Sequence, residues 1–119
     1  RRRGAPMKIA TVRRFALALP EAAEAPHFDY ASFRVRGRIF ATVPPGDAYL
    51  HVFVADEARD AALAMHPEFL EKLRWGAKIV GLRVTLADAD AAVVKRLVAQ
   101  AWRAKAPKAL LAQAAPASE

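Results

Sequence analysis

Hydrophobic residues recur along the chain with two different periods, and these periods predict both helices and strands. A spacing of three to four residues predicts a first helix, Ile9–Leu19, which Pro20 ends. Residues 21–26 are interpreted as a connection. Alternation with a period of two, together with β-branched and aromatic residues, predicts strands at Tyr30–Val35, Arg38–Val43 and Tyr49–Val54.

Two short turns predict how these strands pair. Arg36-Gly37 suits a two-residue type I′ hairpin turn, which places Val35 opposite Arg38 and Phe33 opposite Phe40. Pro44–Asp47 is a second turn signal. Loops this short cannot make a parallel crossover, so the strands are expected to be antiparallel.

The second half of the chain repeats the alternation of helix and strand. Asp56 is expected to cap a helix at Glu57–Met65, and Leu70–Arg74 is expected to be a short strand or bend. Ile79–Leu86 alternates as a clear strand. Asp88 or Asp90 then precedes the strongest predicted helix, Ala91–Ala104. Its apolar stripe consists of Val94, Leu97, Val98 and Ala101, widened by Val93 and Trp102.

These elements predict an α+β fold in the order α-βββ-α-ββ-α. We expect a single, largely antiparallel sheet of about five strands, with helices packed on one face. The length of 119 residues fits one domain. We place that domain at residues 7–111. Residues 1–6 are expected to be a disordered basic tail or an expression remnant, with Met7 as the natural start, and residues 112–119 a frayed Ala-rich tail. No internal repeat is evident.

Composition narrows the classes of function. The chain has no cysteine, which excludes disulfides and thiolate chemistry and fits a cytoplasmic protein. No apolar run is long enough to span a bilayer, so no membrane partner is expected. The net charge is +7, from 19 Lys and Arg against 12 Asp and Glu, and residues 7–119 retain 16 against 12, or +4. This mild basicity favours attraction to phosphates.

No pattern in the sequence predicts catalysis. The three histidines, His27, His51 and His66, show no ligand spacing, and they are interpreted as two surface strand residues and a helix-end residue. Ser32 lies within a strand and not on the strained turn that a serine nucleophile needs. We therefore predict no catalytic residue, no metal and no cofactor, and a protein that is not an enzyme.

The basic residues form the most suggestive pattern. They crowd two β regions and make up the predicted nucleic-acid-binding set: Arg34, Arg36, Arg38, Lys72, Arg74, Lys78 and Arg83. Basic hairpins can contact duplex phosphates. They also keep exposed hairpin tips and edge strands soluble, and this alternative stays open. Trp75 and Trp102 are interpreted as core residues before stacking platforms.

Several short motifs resemble the MmcQ/YjbR family over roughly Val12 to Leu111. They are Leu17-Ala18-Leu19-Pro20-Glu21, Phe33-Arg34-Val35, Leu73-Arg74-Trp75-Gly76, Gly81–Leu86, Ala101-Trp102-Arg103 and Ala106-Pro107-Lys108. The resemblance implies a fold similar to secretion chaperones, a double-wing arrangement and DNA binding, and it implies no catalytic residue.

Two functions remain in contention. The leading hypothesis is a DNA-binding domain that contacts duplex phosphates through its basic hairpins, without sequence preference. The alternative is a protein-interaction module that presents an open sheet face or edge to a partner chain. Tyr49 and Phe53, on a face that the sequence leaves uncovered, favour the alternative.

Overall fold

The structure is a computed structural model that describes residues 7–114. Its helices are α1 (Ile9–Leu17), α2 (Asp56–Met65), α3 (Ala91–Lys105) and α4 (Lys108–Ala114). Its strands are β1 (Ala22–His27), β2 (Tyr30–Val35), β3 (Arg38–Val43), β4 (Tyr49–Val52), β5 (Leu70–Trp75) and β6 (Lys78–Thr85). The predicted tail at residues 1–6, and residues 115–119 of the other predicted tail, lie outside the described residues.

The strands form one six-stranded sheet in the order β1-β2-β3-β4-β6-β5. Every neighbouring pair is antiparallel, which confirms the predicted α+β class and its antiparallel sheet. The interpretation of residues 21–26 as a connection is wrong, because Ala22–His27 pairs with β2 along its whole length. The segment has no β-branched residue, so backbone pairing defines this strand. Pro26 is tolerated because β1 lies at the sheet edge.

The hairpin of β2 and β3, which we call wing 1, contains a bulge that shifts its register. Val35 pairs with Arg38 as predicted, but Phe33 pairs with Ala41 and not with Phe40. The irregularity falls between Phe33 and Arg34. It leaves Phe40 and Ala41 together opposite Phe33, and both are buried. Sequence alternation cannot foresee an extra residue of this kind.

The hairpin of β5 and β6, which we call wing 2, repeats the design of wing 1. In wing 2, Leu73 pairs with Gly81, Arg74 with Ile79 and Trp75 with Lys78, and the same irregularity falls between Leu73 and Arg74, the place that matches Phe33 and Arg34 in wing 1. The sequences match as well: Phe-Arg-Val and Arg-Ile-Phe-Ala in wing 1 become Leu-Arg-Trp and Lys-Ile-Val-Gly in wing 2. The chain therefore contains an internal structural repeat, which was not predicted from the sequence.

The two wings pair with β4 in registers that differ by one residue. Ala41 of wing 1 pairs across β4 with Val52, and Val52 pairs with Leu82, whereas the wing 2 counterpart of Ala41 is Gly81. A one-residue offset moves every side chain to the opposite face of a sheet. Val35 therefore lies in the core, while its counterpart Trp75 is exposed.

Helices α1 and α3 cover one face of the sheet and enclose the core. The apolar stripe predicted for α3 is buried throughout, including Leu97 and Trp102. Asp90 caps this helix by accepting a 2.9 Å hydrogen bond from the backbone N–H of Ala92. Asp56 does not cap α2 as predicted: it is the first helical residue, and its carboxylate accepts a hydrogen bond from Arg59 instead.

Candidate nucleic-acid interface and open sheet face

The tips of both wings lie at the same end of the sheet. Strand β4 is antiparallel to both β3 and β6, so β3 and β6 run in the same direction. Each of them begins at its own hairpin turn, Arg36-Gly37 in wing 1 and Gly76-Ala77 in wing 2. Helix α3 ends at the same end of the sheet. Trp102, near its last turn, contacts Pro20, and the strand that follows Pro20, β1, begins opposite Val35 at the tip of wing 1. We call this region the wing end.

Three of the seven predicted binding residues are held by other groups of the chain. The Arg34 guanidinium donates to Ser32 Oγ at 2.9 Å and to the Pro26 carbonyl at 3.1 Å. Arg36 makes a two-pronged ion pair with Glu21 that lowers the pKa of this carboxyl group. Glu21 has a positive φ of 56° in the tight connection before β1. Glu21 and Arg36 lie 15 positions apart, a spacing that no local sequence pattern reveals.

Arg83 is the third of these residues and lies on the open face, the sheet face opposite α1 and α3. Its guanidinium bonds to the Glu71 carboxylate at 2.8 Å. It also lies 4.6 Å from the centre of the Tyr49 ring. An arginine stacked and paired in this way has less freedom to reach a phosphate than an unpaired one.

The other four predicted residues are exposed: Arg38, Lys72, Arg74 and Lys78. Within residues 7–114, none of them forms a side-chain hydrogen bond or ion pair. Paired residues of an antiparallel ladder share a face, so Arg38 lies on the side of buried Val35, and Lys72 on the side of buried Leu82. Alternation along β5 places Arg74 on the same side as Lys72.

Three predicted residues therefore lie on the helix-covered side of the two wings, and exposed Arg103 and Lys108 come just after Trp102, whose contact with Pro20 places it at the wing end. We call this set the basic end: Arg38, Lys72, Arg74, Arg103 and Lys108. Lys78 points to the open face with Trp75, its ladder partner. These five residues come from three separate stretches of the sequence, at position 38, at 72–74 and at 103–108, and Arg103 and Lys108 are not among the predicted binding residues.

A cavity of about 630 Å³ occupies the open face. It is lined by side chains from all six strands, the β1–β2 turn, the residue after β4 and the end of α3: His27, Phe28, Asp29, Tyr30, Ile39, Thr42, His51, Phe53, Trp75, Val80 and Lys105. Strand β4 ends at Val52, while the flanking wings continue to their tips. The cavity thus begins between the wings and extends across the middle of the sheet.

His51 lies in the floor of this cavity, and its predicted surface position is wrong. The side chain is 9% exposed, and its Nε2 atom has no hydrogen-bond partner within the described chain. Its Nδ1 atom lies 3.5 Å from Thr42 Oγ1. Burial lowers the pKa of the imidazole, and the positive charge of Arg83 lowers it further. The ring is therefore neutral at pH 7.

Two aromatic residues at the cavity are unusually open to solvent. Trp75 is 65% exposed, which makes its predicted core position wrong, whereas Trp102 is buried as predicted. Phe28 is 91% exposed and has a positive φ of 59°. A bulky residue rarely adopts this left-handed conformation. The one-residue offset between the wings explains why Trp75 is exposed. If wing 2 paired with β4 in the register of wing 1, Trp75 would face the core as Val35 does.

The remaining histidines lie apart from each other. His27 ends β1 at the cavity rim, and His66 ends α2, where its ring stacks on Phe69 at 5.4 Å. Among residues 7–114, no three His, Asp or Glu side chains gather closely enough to hold a metal ion. No helix in the same range is long and apolar enough to cross a bilayer.

Comparisons with known proteins agree on the fold. The YjbR family model matches residues 17–104, a range that includes both wings and most of α3. The crystal structure of Deinococcus radiodurans protein DR2400, which carries a DUF419 domain, superposes with a TM-score of 0.73. It covers 92% of this chain and 89% of its own, at 20% sequence identity. A comparison with curated proteins finds no match.

Proposed function

The chain belongs to the YjbR family, and we propose that this member binds duplex DNA through phosphate contacts at the basic end. One observation carries the proposal: exposed cations of both wings, which have no ion-pair partner among residues 7–114, lie at the same end of the sheet as cations of α3 and α4. Arg38, Lys72 and Arg74 are the residues on which it depends most. The proposed activity is binding without catalysis.

The expected mode of binding follows from the residues involved. Lysine and arginine contacts to phosphate release condensed counterions, so affinity falls steeply as salt rises. The cations of the basic end belong to hairpins and to the ends of two helices. Phosphate contacts position a protein without reading bases, so weak sequence preference is expected.

A fluorescence anisotropy titration tests the proposal. Residues 7–119 are titrated with a duplex of random sequence at two salt concentrations, so that Arg1–Arg3 do not contribute. The test variant replaces Arg38, Lys72 and Arg74 with alanine. Losing three phosphate contacts should weaken binding at low salt and flatten the log–log salt slope by up to about three units.

A matched variant controls for net charge. Replacing Lys8, Lys95 and Arg96 with alanine removes the same charge from exposed positions on α3 and just before α1, away from the wing tips. This variant should keep most of the affinity and nearly the full slope. Equal losses in both variants would mean that net charge alone attracts DNA, and no binding by the unmodified protein at low salt would refute the proposal.

A protein-interaction module is the second candidate, and the open face supports it. Trp75, Phe28 and Tyr49 are exposed large hydrophobic residues on or beside that face. Exposed apolar patches of this kind mark interaction surfaces. Unchanged DNA binding in the Arg38, Lys72 and Arg74 variant would leave this second function ahead.

A further inference from the structure

We propose that the cavity on the open face is a binding site for a nucleobase that carries a phosphate group. The ligand chemistry is a flat nitrogen heterocycle with hydrogen-bonding edges and an attached anion. It could come from a free mononucleotide or from an unpaired base of a nucleic-acid strand. The site shares no residue with the basic end, so the inference goes beyond duplex binding and does not depend on it.

The dimensions and lining of the cavity fit a flat aromatic ligand. Ligand sites commonly have volumes of about 300–1,000 Å³ and apolar, aromatic walls, and this cavity holds about 630 Å³. The Phe53 and Trp75 rings are 6.1 Å apart and tilted by 60°, so they do not stack face to face. With most of Trp75 exposed, its indole remains open to a stacking partner. Bases stack on such rings with little dependence on sequence.

A buried nitrogen with no partner points to a polar ligand edge. Nearly all buried polar atoms in proteins are hydrogen-bonded, yet His51 Nε2 has no partner within residues 7–114. Thr42 lies beside the other ring nitrogen, Nδ1. A neutral imidazole donates from one nitrogen and accepts at the other, so it can pair with either kind of base edge.

The two ends of the cavity carry residues of opposite charge, which would orient a ligand that has both a base and a phosphate. Lys105 lines it at the wing end, where α3 terminates, and Asp29 lines it at the β1–β2 turn. An ammonium group suits a phosphate, and a carboxylate accepts hydrogen bonds from the amino group of a base. A purely apolar ligand would use neither residue.

The conformation of Phe28 is a further sign of a functional rim. Its left-handed backbone costs energy, and its ring lies edge-on against the neighbouring His27 ring at 4.8 Å, a contact that leaves most of the Phe28 side chain in solvent. Strained residues of this kind cluster at ligand sites. At the cavity rim, Phe28 is placed to close over a ligand that stacks between the aromatic walls.

The test is an NMR titration of the full chain, followed through backbone amide and tryptophan indole signals. The probes are AMP, GMP, CMP and UMP, with ribose 5-phosphate as the control without a base. The expected shifts involve the Trp75 indole and the amides of Thr42, His51 and Phe53. The Trp102 indole, buried on the other side of the sheet, should not move.

Three variants separate the parts of the site. Trp75→Ala removes the stacking surface at an exposed position and should weaken binding roughly tenfold or more. His51→Phe keeps a ring and removes both nitrogens, and it should also weaken binding. Lys105→Ala should weaken the binding of AMP but not of adenosine. The Arg38, Lys72 and Arg74 variant should bind nucleotides as the unmodified protein does.

Two further probes identify the source of the base: a single-stranded DNA octamer and an octamer of the same length with abasic sites. Much tighter binding of the normal octamer than of both the abasic octamer and any mononucleotide assigns the site to strands. Cavity signals that respond to the normal octamer no more strongly than to a mononucleotide assign it to free nucleotides. The proposal is overturned if no base-containing probe shifts the cavity signals, or if ribose 5-phosphate shifts them equally. Unchanged affinity in Trp75→Ala would overturn it as well. None of these outcomes depends on whether the basic end binds duplex DNA.

Discussion

The Trp102 indole N–H donates a 3.0 Å hydrogen bond to the carbonyl oxygen of Pro20, although 82 positions separate the two residues in the chain. The bond joins the last turns of α3 to the segment between α1 and β1. It also satisfies the polar atom of a large side chain that is otherwise fully packed in the core.

We expect Trp102→Phe to lower the free energy of unfolding by about 1–3 kcal/mol, because the Pro20 carbonyl loses its donor while most of the ring packing remains. Urea unfolding measures the loss. Trp75→Phe is the matched control, since Trp75 is exposed, and it should change stability little. Similar losses for the two variants would show that the hydrogen bond contributes nothing distinct.

Leu97 and Lys95 test the orientation of α3. Leu97 is buried, and Leu97→Ala should cost about 2–5 kcal/mol because it leaves a cavity beneath the helix. Lys95 is exposed, with its ammonium group 6.0 Å from the centre of the Phe15 ring, so Lys95→Ala should cost well under 1 kcal/mol. Denaturant melts that rank the two variants in reverse would contradict the packing described above.

Gly81 is required by the close approach of β4. A β-carbon at this position would overlap the Val52 carbonyl oxygen, a backbone atom that cannot move aside cheaply. Gly81→Ala should therefore destabilise the protein strongly. Gly37→Ala meets no neighbour and suffers mainly from its positive φ of 80°, so it should cost about 1 kcal/mol. Thermal unfolding of both variants provides the comparison.

His51 should make stability depend on pH. Its pKa in the folded protein lies below the ordinary value of 6.5, so the unfolded chain binds a proton more readily. The free energy of unfolding should therefore fall as pH decreases below about 6.5, by at most about 1.4 kcal/mol per pH unit. Folding that remains equally stable under these conditions would contradict a buried, neutral imidazole.

The variant His51→Gln isolates this effect from those of other groups. Glutamine does not titrate, so the slope between pH 7.5 and pH 5 should be shallower in the variant than in the unmodified protein. Chemical denaturation at several pH values in this interval measures both slopes. A slope that is the same in the variant and in the unmodified protein would show that other groups cause the pH dependence.

Periodicity and turn chemistry were sufficient to predict most of the fold. The stripe on α3 and the alternation of Tyr49–Val54 each identified the correct buried side, because burial imposes those periods directly. Strand β1 was missed because Ala22–His27 is held by backbone pairing and by the Arg13–Glu24 ion pair, neither of which leaves a hydrophobic pattern.

The candidate sites were less predictable, because they depend on register and tertiary contact. Alternation puts His51 and Phe53 on the same face of the sheet. It does not show that His51 is buried or that a cavity between the wings is lined by both residues. The cations were visible in the sequence, yet nothing there distinguishes Arg36, which pairs with Glu21, from Arg38, which has no such partner within residues 7–114. Both distinctions depend on residues far apart in the chain.

The one-residue offset between the wings affects how substitutions should be tolerated. Val35 and Trp75 occupy matching places in the repeated hairpin, but a polar replacement at Val35 would be buried and at Trp75 would meet water. A scan of every position in both hairpins should therefore give two tolerance profiles with opposite phase. Matching positions of the two wings therefore experience different selection for folding, although their residue types align. Positions of wing 2 that face water can change without loss of the core, so new binding surfaces can arise there.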